Sequence, residues 1–353
     1  MRFARGRLAL LLVGTLVAGG IGAAAQTPRI SKPKRAPPLI TTMPALPPAV
    51  FDDKLDIGGD DVKARKVETR LSVAVMVNGR GPYQFVVDSG ADTSVIGLRI
   101  ARDQQLPLGT PALLNDMTDR NIVDRVKVAS LTLGASTIND LELPALREED
   151  LGGQGMIGID ALARRRLLMD FDKKVIKIED ATKPAKPLPG EIVVTGKRRR
   201  GQLILTQVSA QKISLDAVID TGSEITIGNL ALREKLVRRH HRVDTIRATG
   251  VTGKTVELQV AQIPELRIGP IVVRNLLIAF ADLPPFHVFG IADEPALFLG
   301  TDVLETFRRV SLDFNARKVR FQMKRCQSGR FVMDGALVRS RTRASSGSEA
   351  CDT

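Results

Sequence analysis

One stretch of this chain occurs twice in altered form. Tyr83-Gln-Phe-Val-Val-Asp88-Ser-Gly-Ala-Asp-Thr-Ser-Val-Ile-Gly97 returns as Leu215-Asp-Ala-Val-Ile-Asp220-Thr-Gly-Ser-Glu-Ile-Thr-Ile-Gly228. Three later landmarks repeat in the same order. Val126 to Gly134 is echoed by Val260 to Gly269, Met156-Ile-Gly-Ile-Asp160 by Phe298-Leu-Gly-Thr-Asp302, and Met169-Asp-Phe-Asp by Leu312-Asp-Phe-Asn. The offset grows slowly, from 132 residues at Asp88 and Asp220 to 143 at Asp170 and Asp313. A constant order with small insertions is the mark of a duplicated unit. Each copy must then build its own core, and two like surfaces are available to pair about a pseudo-twofold axis.

The breaks in the pattern divide the chain into an N-terminal segment 1–25, a proline-rich tether 26–61, a first lobe 62–183, a linker 184–200, a second lobe 201–325 and a flexible tail 326–353. Two lobes suit 353 residues at about 100–200 residues per domain. Each lobe reads as mainly β. Arg70 to Val77 and Gln202 to Val208 are apolar or alternating over strand lengths. Asn78-Gly79, Asp172-Lys173 and Asn315-Ala316 sit where hairpins turn. Short helices are expected near 97–105, 160–166, 230–238 and 302–308, completing two similar closed β-barrel-like lobes.

In each copy an apolar run leads straight into Asp-(Ser/Thr)-Gly-(Ala/Ser). A buried strand that ends in an ionisable carboxylate is unfavourable unless donors surround it and a task requires it. The glycine permits a tight turn whose backbone N–H groups approach the carboxylate. The hydroxyls of Ser89 and Thr221 are placed to bond across to the other copy. Two ordinary turn aspartates are the plainer alternative, and their equivalent positions in a duplication argue against it.

These residues resemble the aspartic proteases, pepsin-like and retroviral-type families together, over nearly all of 62–325. Asp88-Ser-Gly-Ala-Asp-Thr looks retroviral-type and Asp220-Thr-Gly-Ser pepsin-like. The resemblance implies an acid protease fold of two lobes in pseudo-twofold relation. Met156-Ile157-Gly158 and Phe298-Leu299-Gly300 then pass through the aspartate loops, each followed by a short helix. It further implies an Asp88/Asp220 dyad supported by Ser89, Gly90, Thr221 and Gly222. Like charges brought together would share one proton, and a water between them would attack a peptide carbonyl without a covalent intermediate. Ala91 and Ser223 would flank the substrate. A flap is expected at Ala248 to Thr255, with Gly250 and Gly253 at its tip, and another at Asn115 to Asn121. The pepsin-like flap tyrosine has no counterpart, since the single tyrosine, Tyr83, precedes Asp88. A catalytically silent peptide-binding or envelope-interaction protein on the same scaffold is the alternative.

Composition narrows the remaining classes. The net charge of +13 raises nucleic acid or anionic lipid as a partner, but aromatics make up only 4%, with no tryptophan for base stacking. A nucleic-acid partner is therefore not expected. With two cysteines and three histidines a multi-cysteine zinc site is excluded, and neither metal nor cofactor is expected. Cys326 and Cys351 either pair across the tail or stay free. His240 and His241 read as part of a solvated basic run. Arg2, Arg5 and Arg7 before an apolar run and Ala23-Ala24-Ala25 describe a secretory signal peptide, so the mature chain is expected in the periplasm or outside, without a stable membrane span and as a monomer.

Three further patterns mislead. Ala248 to Thr255 matches a relaxed phosphate loop, but a period-2 strand follows where a helix is needed. Gly153, Gly155 and Gly158 match a dinucleotide pattern after a polar rather than an apolar run. Glu191 to Lys197 resembles the strand by which outer-membrane receptors engage their energising partner, and between lobes a linker or interlobe strand is the simpler reading.

Overall fold

The computed structural model describes residues 29–36 and 61–333, apart from 64, 68, 69, 135, 163, 164, 186, 188, 200, 238–243 and 325–330. The candidate signal segment, most of the tether, His240, His241 and both cysteines lie outside the described residues.

Asn78 and Gly79 both take positive φ, 50° and 73°, the geometry that turns strand Arg70–Val77 into strand Arg80–Val87. Two further turns repeat one another, at Lys174 (φ 53°) and Arg317 (φ 56°), each closing the hairpin its copy was expected to form. In the first lobe six strands close on themselves: Arg70–Val77, Arg80–Val87, Gly155–Ile157, Val95–Gly97, Ser136–Leu146 and Arg125–Leu133, the last pairing back onto the first. The second lobe repeats the circuit with Gln202–Ala210, Ile213–Ile219, Ala296–Leu299, Ile227–Gly228, Ile271–Phe280 and Thr255–Ile268. Closure leaves no free strand edge within either barrel. Inward residues such as Val73, Val75, Phe85 and Ile96 in one, and Leu205, Ala217, Ile278 and Leu299 in the other, join one continuous core.

A sheet between the lobes binds the copies together. Strands Arg165–Asp170 and Arg309–Asp313, equivalent by duplication, lie antiparallel with Arg166 opposite Asp313 and Asp170 opposite Arg309. Each arginine therefore meets the aspartate of the other copy, as a twofold requires. Arg166 Nε donates to Asp313 Oδ2 at 3.0 Å and Arg309 Nε to Asp170 Oδ2 at 2.5 Å. Outward on either side follow the hairpin partners Val175–Asp180 and Lys318–Gln322.

The linker contributes the strand Glu191–Arg199. Its first half pairs with Lys318–Gln322 and its second with Gln202–Leu205, so it joins the interlobe sheet to the second barrel. Ile192 and Val194 face in while Val193 is exposed, the alternation that decides the register. The tether also departs from an unattached segment where it is described. Lys34–Arg35 pairs with Asn121 and Ile122, and both the backbone N–H and the hydroxyl of Ser31 donate to Asp124 Oδ2. Backbone pairing to a free edge needs no periodicity, which is why the residues themselves carry no sign of it.

Helices are few and short: Leu98–Asp103, Glu148–Leu151, Ile159–Leu162, Leu230–Leu236, Pro284–Val288 and Thr301–Leu304. The expected helices at 160–166 and 302–308 stop early. Residues from Arg165 and Arg309 onward are needed extended, to pair with one another across the lobes. Among the described residues no helix is long and apolar enough to cross a membrane.

Candidate active site

The strands Arg80–Val87 and Ile213–Ile219 each run parallel to a strand of the same barrel, Gly155–Ile157 and Ala296–Leu299. Those neighbours hold the backbone where the carboxylates emerge: Asp88 N–H donates to Ile157 O (2.9 Å) and Asp220 N–H to Leu299 O (3.1 Å). The chain then passes through the aspartate loop at Gly158 and Gly300. A side chain at Gly158 would strike the backbone of Thr93, and one at Gly300 that of Ile225. The loops are tied in place by Asp160 and Asp302. Asp160 accepts from the Ser94 N–H and hydroxyl, and Asp302 from those of Thr226; the same hydroxyls then accept the N–H of Gly158 and Gly300.

Each candidate carboxylate is wrapped by its own loop. Asp88 Oδ1 accepts the N–H of Gly90 (2.7 Å) and Ala91 (3.1 Å), and Asp220 Oδ1 the N–H of Gly222 (3.0 Å) and Ser223 (3.1 Å). The two carboxyl groups lie within hydrogen-bonding reach of each other. A methyl group on Gly222 would overlap the Asp88 carboxyl, and one on Gly90 would fall 2.7 Å from Asp220. These glycines are therefore required by the closeness of the opposite lobe.

The hydroxyls cross the lobe boundary in both directions. Ser89 Oγ donates to Ile219 O (2.8 Å) and accepts Thr221 N–H (3.2 Å); Thr221 Oγ1 donates to Val87 O (2.8 Å) and accepts Ser89 N–H (2.9 Å). Burial pushes both aspartates above the ordinary carboxylate range. The loop N–H groups act against that burial on both sides, Gly90 and Ala91 on Asp88 and Gly222 and Ser223 on Asp220.

Two hairpins meet above these loops. The first, Ala112–Asn115 and Arg120–Val123, turns at 116–119; the second, Asp244–Thr249 and Thr255–Ile268, turns at 250–254. Gly253 takes φ +82° at the tip, and Gly250 lies so close to Thr118 that a side chain would collide with it. The buried carboxylate of Asp116 accepts from Thr118 and Asp119 on its own hairpin, and from the Thr252 N–H and hydroxyl on the other. Asn121 also donates to Thr252, and Lys254 pairs with Asp119 at 2.9 Å. Each tip sends an apolar residue into the opposite lobe. Met117 packs on the cluster of Leu258, Phe286 and Phe298 that Ile225 also joins, and Val251 on the cluster of Val95, Leu146 and Met156 that Ala91 joins.

Residues 248–255 are thus a hairpin tip between strands, and at Gly153 to Gly158 a helix precedes a strand, so neither follows the strand-then-helix order of a phosphate or dinucleotide loop. Among the described residues no group of three or more His, Cys, Asp or Glu is arranged to hold a metal ion. Sequence reasoning passed over Arg70, Gln202, Asp92 and Glu224, which bridge the lobes beside the dyad. Arg70 Nε pairs with Glu224 Oε1 (3.1 Å), and Gln202 Nε2 donates to Asp92 Oδ1 (3.0 Å) and Gly90 O (3.2 Å). The duplication carried the signal, since Arg70 and Gln202 each stand 18 residues ahead of their aspartate.

Residues 73–164 match the family model described as "gag-polyprotein putative aspartyl protease", and residues 206–303 match that described as "Aspartyl protease". No curated protein compared with the chain matches it. The two matches fall one on each barrel, each spans its Asp-(Ser/Thr)-Gly loop, and together they take in more than half of the chain. The chain belongs to the aspartic proteases, as a retropepsin-like member that carries both lobes in tandem.

Proposed function

We propose that this chain is an exported aspartic endopeptidase in which Asp88 and Asp220 act together on one water. The observation that carries the reading is the meeting of the two carboxyl groups at the lobe boundary, each wrapped by its own loop. At working pH one carboxyl is ionised and one protonated, because two adjacent charges in a buried site cannot both form readily. The ionised member takes a proton from water as the oxygen attacks the scissile carbonyl. The protonated member donates a hydrogen bond to the developing oxyanion, and the attack proceeds without an acyl-enzyme. Ala91 and Ser223, next to the dyad loops, and the hairpin tips at Gly250 and Gly253 would line the bound peptide, and closure of the tips would exclude bulk water. The single chain supplies both halves of the site, so a monomer suffices. Export rests on the Arg2-Arg5-Arg7, apolar and Ala23-Ala24-Ala25 pattern.

The test is cleavage of a broad peptide library across pH 3–8 by the purified mature chain. Asp88→Asn and Asp220→Asn should each abolish cleavage while the far-ultraviolet circular dichroism is unchanged. Full activity in either variant would refute the dyad. A wild-type chain that binds peptides and cleaves none would instead be a silent binding protein on this scaffold.

A further inference from the structure

We propose that the outer edge of strand Arg120–Val123 is a docking site for an extended segment, and that residues 30–36 of the chain's own tether fill it as a releasable strap on the first hairpin. The two copies differ at the joint where the hairpin leaves the barrel. In the second, Thr255–Ile268 runs unbroken from the tip into the barrel, and the position equivalent to Asp124 is the buried Leu258. In the first, Arg120–Val123 ends, Asp124 interrupts, and Arg125–Leu133 begins. A strand broken at its base is a natural hinge, and the tether lies along that break.

The contacts run in order from the joint towards the tip. Ile30 packs on the main core, below the hairpin. The N–H and hydroxyl of Ser31 both donate to Asp124 Oδ2, at 2.8 and 2.7 Å, while the Asp124 carbonyl accepts Ala145 N–H from the barrel. Lys34 then pairs with Ile122 and Arg35 with Asn121, and Ala36 N–H donates to Arg120 O at 3.0 Å. The first hairpin therefore has three strands. Among the described residues Thr255 to Leu258 of the second pair only with Asp244–Thr249. The strap is also built to let go. Pro33 and Pro37 carry no N–H, so the ladder cannot extend past either side of residues 34–36. Lys34 and Arg35 are exposed and bury no apolar surface. Ordering seven residues costs backbone entropy of the same order as so few hydrogen bonds return. Such a segment belongs to the low-stability end of a fold, where opening is frequent. Its release would free the hinge at Asp124 and leave the second hairpin as it is.

The assay is amide hydrogen exchange of the full mature chain, read by mass spectrometry in an Asp116→Ala background so that the two tips no longer share an acceptor. Ser31→Ala together with Ala36→Pro removes the hydroxyl at Asp124 and the N–H at Arg120 O, and neither position belongs to a barrel. Exchange over 112–123 should then quicken about tenfold or more, with 244–256 unmoved. An excess of a synthetic peptide of residues 27–38 should restore the protection, and a scrambled peptide should not. Exchange over 112–123 that ignores the double change, an equal quickening at 244–256, or a peptide that restores nothing overturns the strap. So does wild-type protection that fades on dilution, which would give the edge to the tether of a second copy. The measurement needs no substrate, so a chain that cleaves nothing would remove the endopeptidase reading while leaving the strap to stand or fall alone.

Discussion

Replacing Thr221 by valine keeps the shape of the side chain and removes one oxygen. That oxygen accepts the N–H of Ser89 and donates to the carbonyl of Val87, both in the opposite lobe. Ser89 and Val87 are each 1% exposed, so neither backbone group can turn to water instead. A buried polar group that loses its partner costs about 1–3 kcal/mol, and two such groups make roughly 2–6 kcal/mol. Against a typical total of about 5–15 kcal/mol, this is a large fraction. Thr221→Ser keeps the oxygen and loses one methyl group, for about 1 kcal/mol. With no tryptophan in the chain, urea unfolding is best followed by far-ultraviolet circular dichroism. The midpoint should fall strongly for Thr221→Val and slightly for Thr221→Ser, at unchanged slope. Peptide cleavage by Thr221→Val, measured where it remains folded, should fall as the carboxylates lose their fixed spacing. A Thr221→Val chain within about 0.5 kcal/mol of wild type, or a serine variant equally damaged, would refute the claim that the crossed hydroxyls hold the lobes in register.

Three further outcomes are expected. Both dyad carboxyls ionise less readily folded than unfolded, so the native state binds more protons and its stability falls as pH rises through the native values. Asp220→Asn should therefore raise the thermal midpoint near neutrality, and the gain should vanish below the unfolded value of about 3.9; scanning at both pH values checks it, and a gain independent of pH contradicts it. Gly222→Ala puts a methyl group into the Asp88 carboxyl and should lower kcat/KM by about 100-fold, or about 2.7 kcal/mol of barrier, in a chain that still folds. Asp116→Ala removes the acceptor shared by the two hairpin tips, and amide exchange over 112–123 and 244–256 should quicken while the barrel strands stay protected; unchanged exchange there would mean that Met117 and Val251 hold the tips unaided.

The duplication made the barrels legible, because apolar runs, hairpin turns and the two Asp-Gly loops recur in one order. The meeting of Asp88 and Asp220 followed from their equivalent positions, since a twofold places like residues face to face. Contacts that depend on the partner copy were harder to see. Nothing near Arg70 in the chain announces Glu224, and nothing near Met117 announces the apolar cluster of the other lobe. Residues 29–36 were opaque because their pairing runs through backbone atoms and leaves Lys34 and Arg35 exposed. Helix ends at Leu162 and Leu304 were misjudged for a related reason: the competing strands find their partners about 140 residues away. Two helices, Glu148–Leu151 and Pro284–Val288, are too short to show any period.

The hairpin tips are unlike each other, one short and closed around Asp116, the other longer and tipped with glycines. A homodimer encodes both walls with one set of codons and must present the same wall to each end of whatever lies between. Here each wall can drift independently. Under the proposed function, a polypeptide threaded in one direction and the same polypeptide threaded in reverse would meet different neighbours, so reading polarity would be written into the two tips themselves.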